Sequence, residues 1–515
     1  MNAARKQPTL QGLPLALLTL SIALSTFMEV LDISIVNVSV YTIAGELGVS
    51  STEGTWAISA YSLASAIMQP LTGWIARRFG EVRVFCIAVL LFVIFSMLCG
   101  FALNIQMLVI FRLLQGLVSG PMVPLSQTLL LNNYPEKKRG LALGLWAMTV
   151  VVAPIFGPIL GGWITDNYSW PWIFFINVPI GVFAAVVSYV LLRERESKIV
   201  KQRVDAVGIG LLVIGVGALQ YMLDNGNDKD WFNSPLILTL AIVAAIGITF
   251  LIAWELTENN PIVELRLFKR RNFSVGVVAL GLGMMAFFGT TVVLPQWLQR
   301  VMNYNATWAG LAIAPVGIFA FLLSPFVGRY MRKIELRLIA SFAFLVFSGT
   351  ALWSAHFDND ANYGYIILPR LVQGIGVACF FVPLQQIILS GMKPSEVAAA
   401  SGLANFFRTL AQSIATAVTT TLYDHRSNFH HAVLTENIVR GKPIVNEFLT
   451  TLAQRANRAP ASPYQALDRI VDAQAQTLAL NELFWVYSFT FLFIGALIWL
   501  AKPPFDSAEG AAPQG

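Results

Sequence analysis

Charge is scarce in this sequence. Only 12% of its 515 residues are Asp, Glu, Lys or Arg, about half the share of an ordinary soluble domain. That scarcity excludes a soluble globular protein, because so apolar a surface would aggregate. Cysteine is scarcer still. Cys86, Cys99 and Cys379 all lie in apolar stretches, with neither a disulfide framework nor zinc spacing. Three of the four histidines, His425, His430 and His431, cluster, but acids and cysteines do not complete a metal site around them. The chain has no glycine-rich phosphate loop and no nucleophile–base constellation. Neither an enzyme, a resident metal nor a nucleic-acid partner is expected.

Apolar residues are abundant, at 56% of the chain. About 20 consecutive apolar residues cross the hydrocarbon of a bilayer. Fourteen stretches qualify: 14–38, 54–76, 82–102, 106–131, 140–163, 172–192, 207–224, 236–255, 273–296, 307–328, 337–356, 364–390, 397–422 and 484–501. The first is too long for a signal peptide and has no cleavage site, so it reads as a retained first span. The pattern predicts an all-α polytopic membrane protein with both termini on one side. Twenty-three of the 34 lysines and arginines then fall on that side, at both termini and in five short loops and Lys393. Short cytoplasmic loops carry such an excess, so both termini are expected in the cytoplasm.

The chain repeats itself. RLLQGLVSGPMVPLSQ from Arg112 matches RLVQGIGVACFFVPLQQ from Arg370, 258 residues later. GWIARRFGEVR at Gly73 pairs with GRYMRKIELR at Gly328, and LALGLWAM near Gly144 with AAASGLAN near Gly402, at similar offsets. Duplication predicts two six-helix pseudo-repeats with two inserted helices between them. The expected units are a cytoplasmic N-terminus (1–13), an N-terminal bundle (14–192), an insert (193–272), a C-terminal bundle (273–501) and a tail (502–515). Duplicated bundles around a central site are the plan of alternating-access transporters.

The first span holds two carboxylates, in ALSTFMEVLDISIVNV. Glu29 and Asp32 are three residues apart and share a helix face, which Ser25 and Ser21 extend. Acids at that depth are costly and mark ion or proton paths. Arg112 lies at a similar depth in the fourth span. Asp32 is therefore expected to pair with Arg112 in one state and to be protonated in another. The alternative is a permanent ion pair that only fixes packing. The ninth span, the repeat partner of the first, has no acid, although Arg370 and Arg408 persist in the second half. Proton chemistry is expected in the first half. The two arginines either attract an anionic head group or bond to backbone carbonyls. Candidate contacts to a substrate are Asn37, Gln115, Trp146, Arg370, Gln373, Phe380, Asn405 and Arg408.

LDISIVNVSV, GWIARRFGEVR, RLLQG, LNNYPEKKRG, APIFGPILGGW and WPWIFFINVPIG together resemble the Major Facilitator Superfamily. The branch they resemble is the fourteen-helix drug/proton antiporters, in particular EmrB-type export permeases of Gram-negative bacteria. The likeness covers nearly the whole chain. It implies a permease of the bacterial inner membrane that exports lipophilic drugs, uncouplers or fatty acids. The proton gradient drives it, and no cofactor is needed. It also implies a periplasmic adaptor of EmrA type and an outer-membrane channel of TolC type. Segment 424–483 is the candidate dock, with Phe448, Leu449 and Leu452 on one face and a break near Pro460. Rival readings are an exporter of one metabolite, such as a siderophore, and a non-transporting sensor. By the same likeness, Pro154, Gly157, Pro158, Gly161 and Gly162 form a hinge. Gly73, Arg77, Arg78, Gly80 and Arg83 form a cytoplasmic gate. Arg77 stands where the superfamily usually has an aspartate, so a latch built on that acid is in doubt.

Overall fold

A computed structural model describes residues 10–135, 138–200, 204–331, 333–436, 438, 442–455 and 463–505. Arg332 and Pro460 lie outside the described residues, as do the side chains of Leu452 and Pro158. All regular structure among the described residues is helical. The helices are α1 (Leu13–Glu46), α2 (Ser51–Phe79), α3 (Glu81–Gly100), α4 (Ile105–Ser119), α5 (Met122–Asn133), α6 (Arg139–Asn167), α7 (Trp172–Phe175), α8 (Asn177–Leu192) and α9 (Ala206–Asn225). They continue with α10 (Pro235–Thr257), α11 (Arg271–Arg300), α12 (Ala306–Ile313), α13 (Val316–Tyr330), α14 (Leu336–Ser354), α15 (Tyr363–Leu389), α16 (Pro394–Glu436), α17 (Pro443–Arg455) and α18 (Pro463–Leu497).

Local chemistry sets many of these boundaries. Ser50 and Glu53 form a capping box at the start of α2. Asn104, Asp205, Asn305 and Asn362 each cap the free N–H groups of the helix that follows. Pro121 separates α4 from α5, and Pro315 separates α12 from α13. Proline donates no backbone hydrogen bond, so a single span can break there.

Every expected span coincides with helix. Among the described residues, eleven helical stretches are long and apolar enough to cross a bilayer, and α6, bent by 41°, makes a twelfth. The helices α2 and α16 are long but more polar. Their polar residues are spent between two groups of helices rather than against lipid. One group is α1–α8, in which α1 packs on α6 and α8, and α2 on α4. The other is α11–α18, in which α14 packs on α15 and α18, and α11 on α16. The inserted pair α9–α10 meets through Gly215 and Gly247, where a side chain on either would touch the other helix. Of the pair, α9 leans on both groups, against α2 and against α16.

The two groups touch most closely at the end that carries the loops 80–81, 134–139, 331–335 and 390–393. There α2 meets α16 and α6 meets α13. A Cβ on Gly73 would lie 2.4 Å from Ala399 Cβ, and one on Gly402 would lie 2.6 Å from the Gln69 carbonyl oxygen. A Cβ on Gly140 would lie 2.4 Å from the Gly328 carbonyl oxygen, and one on Gly328 would lie 2.2 Å from that of Gly140. From Ala399 to Thr409 the sealed layer is about 15 Å deep.

At the other end, α16 continues past the membrane. Its 43 residues span roughly 65 Å, about twice the hydrocarbon thickness. The extension is tied to α18 by Arg426, which donates two hydrogen bonds to Glu482 at 2.6 and 2.8 Å. His430 lies 3.0 Å from Glu482 and His431 lies 3.3 Å from Asp468. Folding thus brings Glu482 and Asp468, from α18, to the histidines of α16.

Gly328→Val should force α13 away from α6, since overpacking a closed helix contact costs about 1–3 kcal/mol. In a chain carrying Ser401→Cys, the expected result is severalfold faster labelling by an impermeant maleimide. Unchanged labelling would mean that the glycine contact does not hold this end shut.

Candidate functional site

The deepest polar cluster lies around Asp32, whose side chain is 0% exposed. Arg112 of α4 donates Nη1–H to Asp32 Oδ2 at 2.5 Å and to Gln115 Oε1 at 2.8 Å. Its Nε–H reaches the Ala57 carbonyl of α2 at 3.3 Å. The other carboxylate oxygen of Asp32 accepts from Asn177 Nδ2 of α8 at 2.9 Å and from Gln115 Nε2 at 3.3 Å. Asn177 also donates to Ser96 of α3, which in turn donates to the Phe174 carbonyl. The guanidinium rests over the Tyr61 ring, 4.2 Å from its centroid. One acid thus gathers α1, α2, α3, α4 and α8. A buried pair survives desolvation only with such extra hydrogen bonds.

Similar depth in two spans made the Asp32–Arg112 pair legible. Asn177, Tyr61 and Ser96 were missed. An asparagine inside the apolar motif WPWIFFINVPIG was the available signal for Asn177.

Glu29 is also buried, at 3% exposure, and its Oε2 has no hydrogen-bond partner among the described residues. Its opposite charge comes from across the molecule. Arg408 of α16 lies within electrostatic reach, and Arg408 Nε is likewise without a hydrogen-bond partner among the described residues. On its own helix the nearest acid to Arg408 is Glu396, twelve residues away. The structure supplies one from the other group. Around them the seam is polar: Asn405 donates to Gln127 Oε1 at 3.2 Å, and Thr409 to Gln69 Oε1 at 3.1 Å. These bonds join α16 to α5 and α2, directly below the Glu29–Arg408 pair.

The second group repeats the arginine without the acid. Arg370 donates to Gln373 at 3.0 Å, as Arg112 does to Gln115, and to Ser354 at 2.9 Å. It sits 5.4 Å from the Phe484 ring centroid. Phe380 packs among Phe344, Phe347 and Phe381. Trp146 is buried and donates to Ser126. Asn37 is exposed. The candidate substrate contacts therefore form no single surface: Asn405 and Arg408 lie on the seam, whereas Trp146 and Phe380 are interior packing. Gly157 and Gly161 of α6 lie against Ser34 and Ile35 of α1. Pro154 ends the first straight part of α6, before the bend, and a Cβ on Gly162 would meet open space.

The Arg77 region has its acids after all, drawn from elsewhere in the chain. Arg77 Nη1 lies 2.5 Å from Glu264 Oε1, in the linker that follows α10. Glu196 lies over Gly80, whose φ of 96° favours glycine. Its carboxylate accepts from the N–H groups of Val82 and Arg83, at the open start of α3. Arg83 lies 3.8 Å from it, and Arg78 stacks near Trp74 and Phe79. Beside the same linker, Arg270 binds Glu396 at 2.7 Å. The segment from Glu264 to Arg270 thus bridges α2 to α16 across the sealed end.

Two tests follow from these pairs. Asp32→Asn strands a buried arginine, which costs about 3–5 kcal/mol. The apparent melting temperature in detergent should fall, and Arg112→Gln in the same chain should bring it back toward the parent. Equal, additive losses would show the two to be uncoupled. For the linker, Arg77→Glu and Glu264→Arg should each speed labelling of Ser401→Cys, whereas the exchanged pair should return it to the parent rate.

Three comparisons bear on this arrangement. The family model described as Major Facilitator Superfamily matches residues 22–416. The multidrug export protein EmrB of Haemophilus influenzae is 50% identical over 508 residues, 98% of this chain and 99% of that protein. EmrB of Escherichia coli is 48% identical, over 98% of this chain and 99% of that protein. The fatty acid resistance protein FarB of Neisseria gonorrhoeae is 47% identical, with the same coverage. Among solved structures, the proton:xylose symporter XylE aligns with a TM-score of 0.58 at 15% identity, over 94% of this chain and 95% of that one. The human organic anion transporter MFSD10 aligns at 0.57 and 12% identity, over 93% and 100%. These two show the fold alone. With helices, repeat and buried charge network in agreement, the chain belongs to the Major Facilitator Superfamily and is a transporter, not an enzyme.

Proposed function

We propose that this protein is a proton-coupled exporter of lipophilic, amphipathic small molecules across the bacterial inner membrane. The observation that carries the reading is the pair of buried acids on α1, each facing an arginine on a different helix. Asp32 is bound within its own group. Glu29 faces Arg408 across the seam. A proton on Asp32 releases Arg112, and a proton on Glu29 releases Arg408. Either event changes the charge balance of a nearly dry interior, where an unpaired charge is costly. Proton entry and helix movement are thereby linked.

The excess of Lys and Arg at the sealed end supports a cytoplasmic position for it. The seal then belongs to an outward-facing state, and the glycine contacts of α2 with α16 and of α6 with α13 are what must part. Arg408, once freed of Glu29, is placed to hold an anionic head group. This supports fatty acids and acidic uncouplers among the substrates, the former in line with the name of the fatty acid resistance protein FarB. The paired extensions of α16 and α18, with α17 on them, are the proposed dock for a periplasmic adaptor leading to an outer-membrane channel.

The test is gradient-driven uptake of a fluorescent lipophilic substrate into inverted reconstituted vesicles. The parent should transport. Asp32→Asn should lose gradient-driven transport and keep substrate binding, and unchanged transport would remove Asp32 from coupling. Arg408→Ala should impair an anionic substrate more than a cationic one, and equal losses would sink the anion role.

A further inference from the structure

Helix α9 ends on an acid, Asp224. The position is unfavourable on local grounds, because the C-terminal turn of a helix carries the negative end of its dipole. Its surroundings come from three parts of the chain. Gln220 of α9 donates its amide to Asp224 Oδ1 at 2.9 Å and to Ser413 Oγ of α16 at 2.9 Å. Ser59 of α2 hydrogen-bonds the same carboxylate. The carboxylate of the inserted helix therefore meets α2 through Ser59, and its partner Gln220 meets α16 through Ser413.

The cluster has spare acceptor capacity. Gln220 is 1% exposed, and its Oε1 has no hydrogen-bond partner among the described residues. Asp224 itself is exposed. A carboxylate turned toward lipid is expensive, so the open side of Asp224 faces water. Helical spacing puts two aromatic residues on the faces that carry Asp224 and Ser59. Tyr221 precedes Asp224 by three residues on α9, and Trp56 precedes Ser59 by three on α2. Each shares a face with its neighbour. Both rings are exposed, Tyr221 at 37% and Trp56 at 45%.

An accessible carboxylate, an unpaired amide oxygen and flanking rings suit an organic cation. The carboxylate, held in place by Gln220, offsets the positive charge, and the rings cover the apolar body. We propose that Asp224 and Gln220 form a binding site for the cationic head group of amphipathic substrates, where α9 packs against α2 and α16 at the end opposite the seal. This site is separate from Glu29 and Arg408, whose arginine suits anions. The inserted pair α9–α10 then contributes to substrate choice as well as to architecture. The inference rests on reading the chain as an exporter of amphipathic molecules.

The experiment is equilibrium binding to the full chain in detergent, read by fluorescence anisotropy. The probes are ethidium, a permanent cation, and dansylated undecanoic acid, an anion. Asp224→Asn keeps the shape and removes the charge. It should weaken ethidium binding about tenfold and leave the anion nearly unchanged. Asp224→Glu should restore ethidium. An equal effect on both probes, or none on ethidium, overturns the site. A parent that binds the anion and not ethidium overturns the site alone. A parent that binds neither overturns the exporter reading with it. Elution of both variants at the parent volume on size exclusion separates lost binding from lost folding.

Discussion

Burying an ion pair imposes obligations on everything near it. Asp32 and Arg112 are almost wholly removed from water, and neither charge is stable there alone. Asn177, Gln115 and the Ala57 carbonyl each meet one of the lone pairs or N–H groups that solvent would otherwise hold, Ser96 holds Asn177 in place, and the Tyr61 ring covers the guanidinium. Five helices are fixed in relation to one another by this requirement. The pair is both the fastening of the first group of helices and its most sensitive point, since one proton undoes the balance.

The seam between the groups is held differently. Its closest contacts are glycine on backbone, at Gly73, Gly140, Gly328 and Gly402. Above them lie weak neutral hydrogen bonds, at Asn405 and Thr409. Such contacts are shape-dependent and individually small, so they form and part without stranding a charge. In the middle of the seam Glu29 and Arg408 bring charge, without a hydrogen bond between them. A rigid, heavily bonded core beside a lightly bonded seam is the mechanical condition for two bodies to rock.

The inserted helices and their linker bind to both groups. Glu264 meets Arg77 on one side, Arg270 meets Glu396 beside it, and Gln220 reaches Ser413. A segment that touches both bodies must rearrange when they move. The insert is thus part of the moving assembly.

Spans, repeat and the Asp32–Arg112 pair were legible in the sequence, because each rests on local spacing. Apolar runs set helices, a fixed offset exposes duplication, and residues at equal depth in adjacent spans meet. The acids that answer Arg77 and Arg408 were not legible. Glu264 lies 187 residues beyond Arg77, and Glu29 belongs to the other half of the repeat from Arg408. Trp146 and Phe380 carry the right chemistry for a substrate surface, yet rotation about their helix axes turns them into packing. Periodicity fixes which residues share a face of one helix. Which faces meet is decided by helix packing across distant segments, and only the tertiary structure contains it.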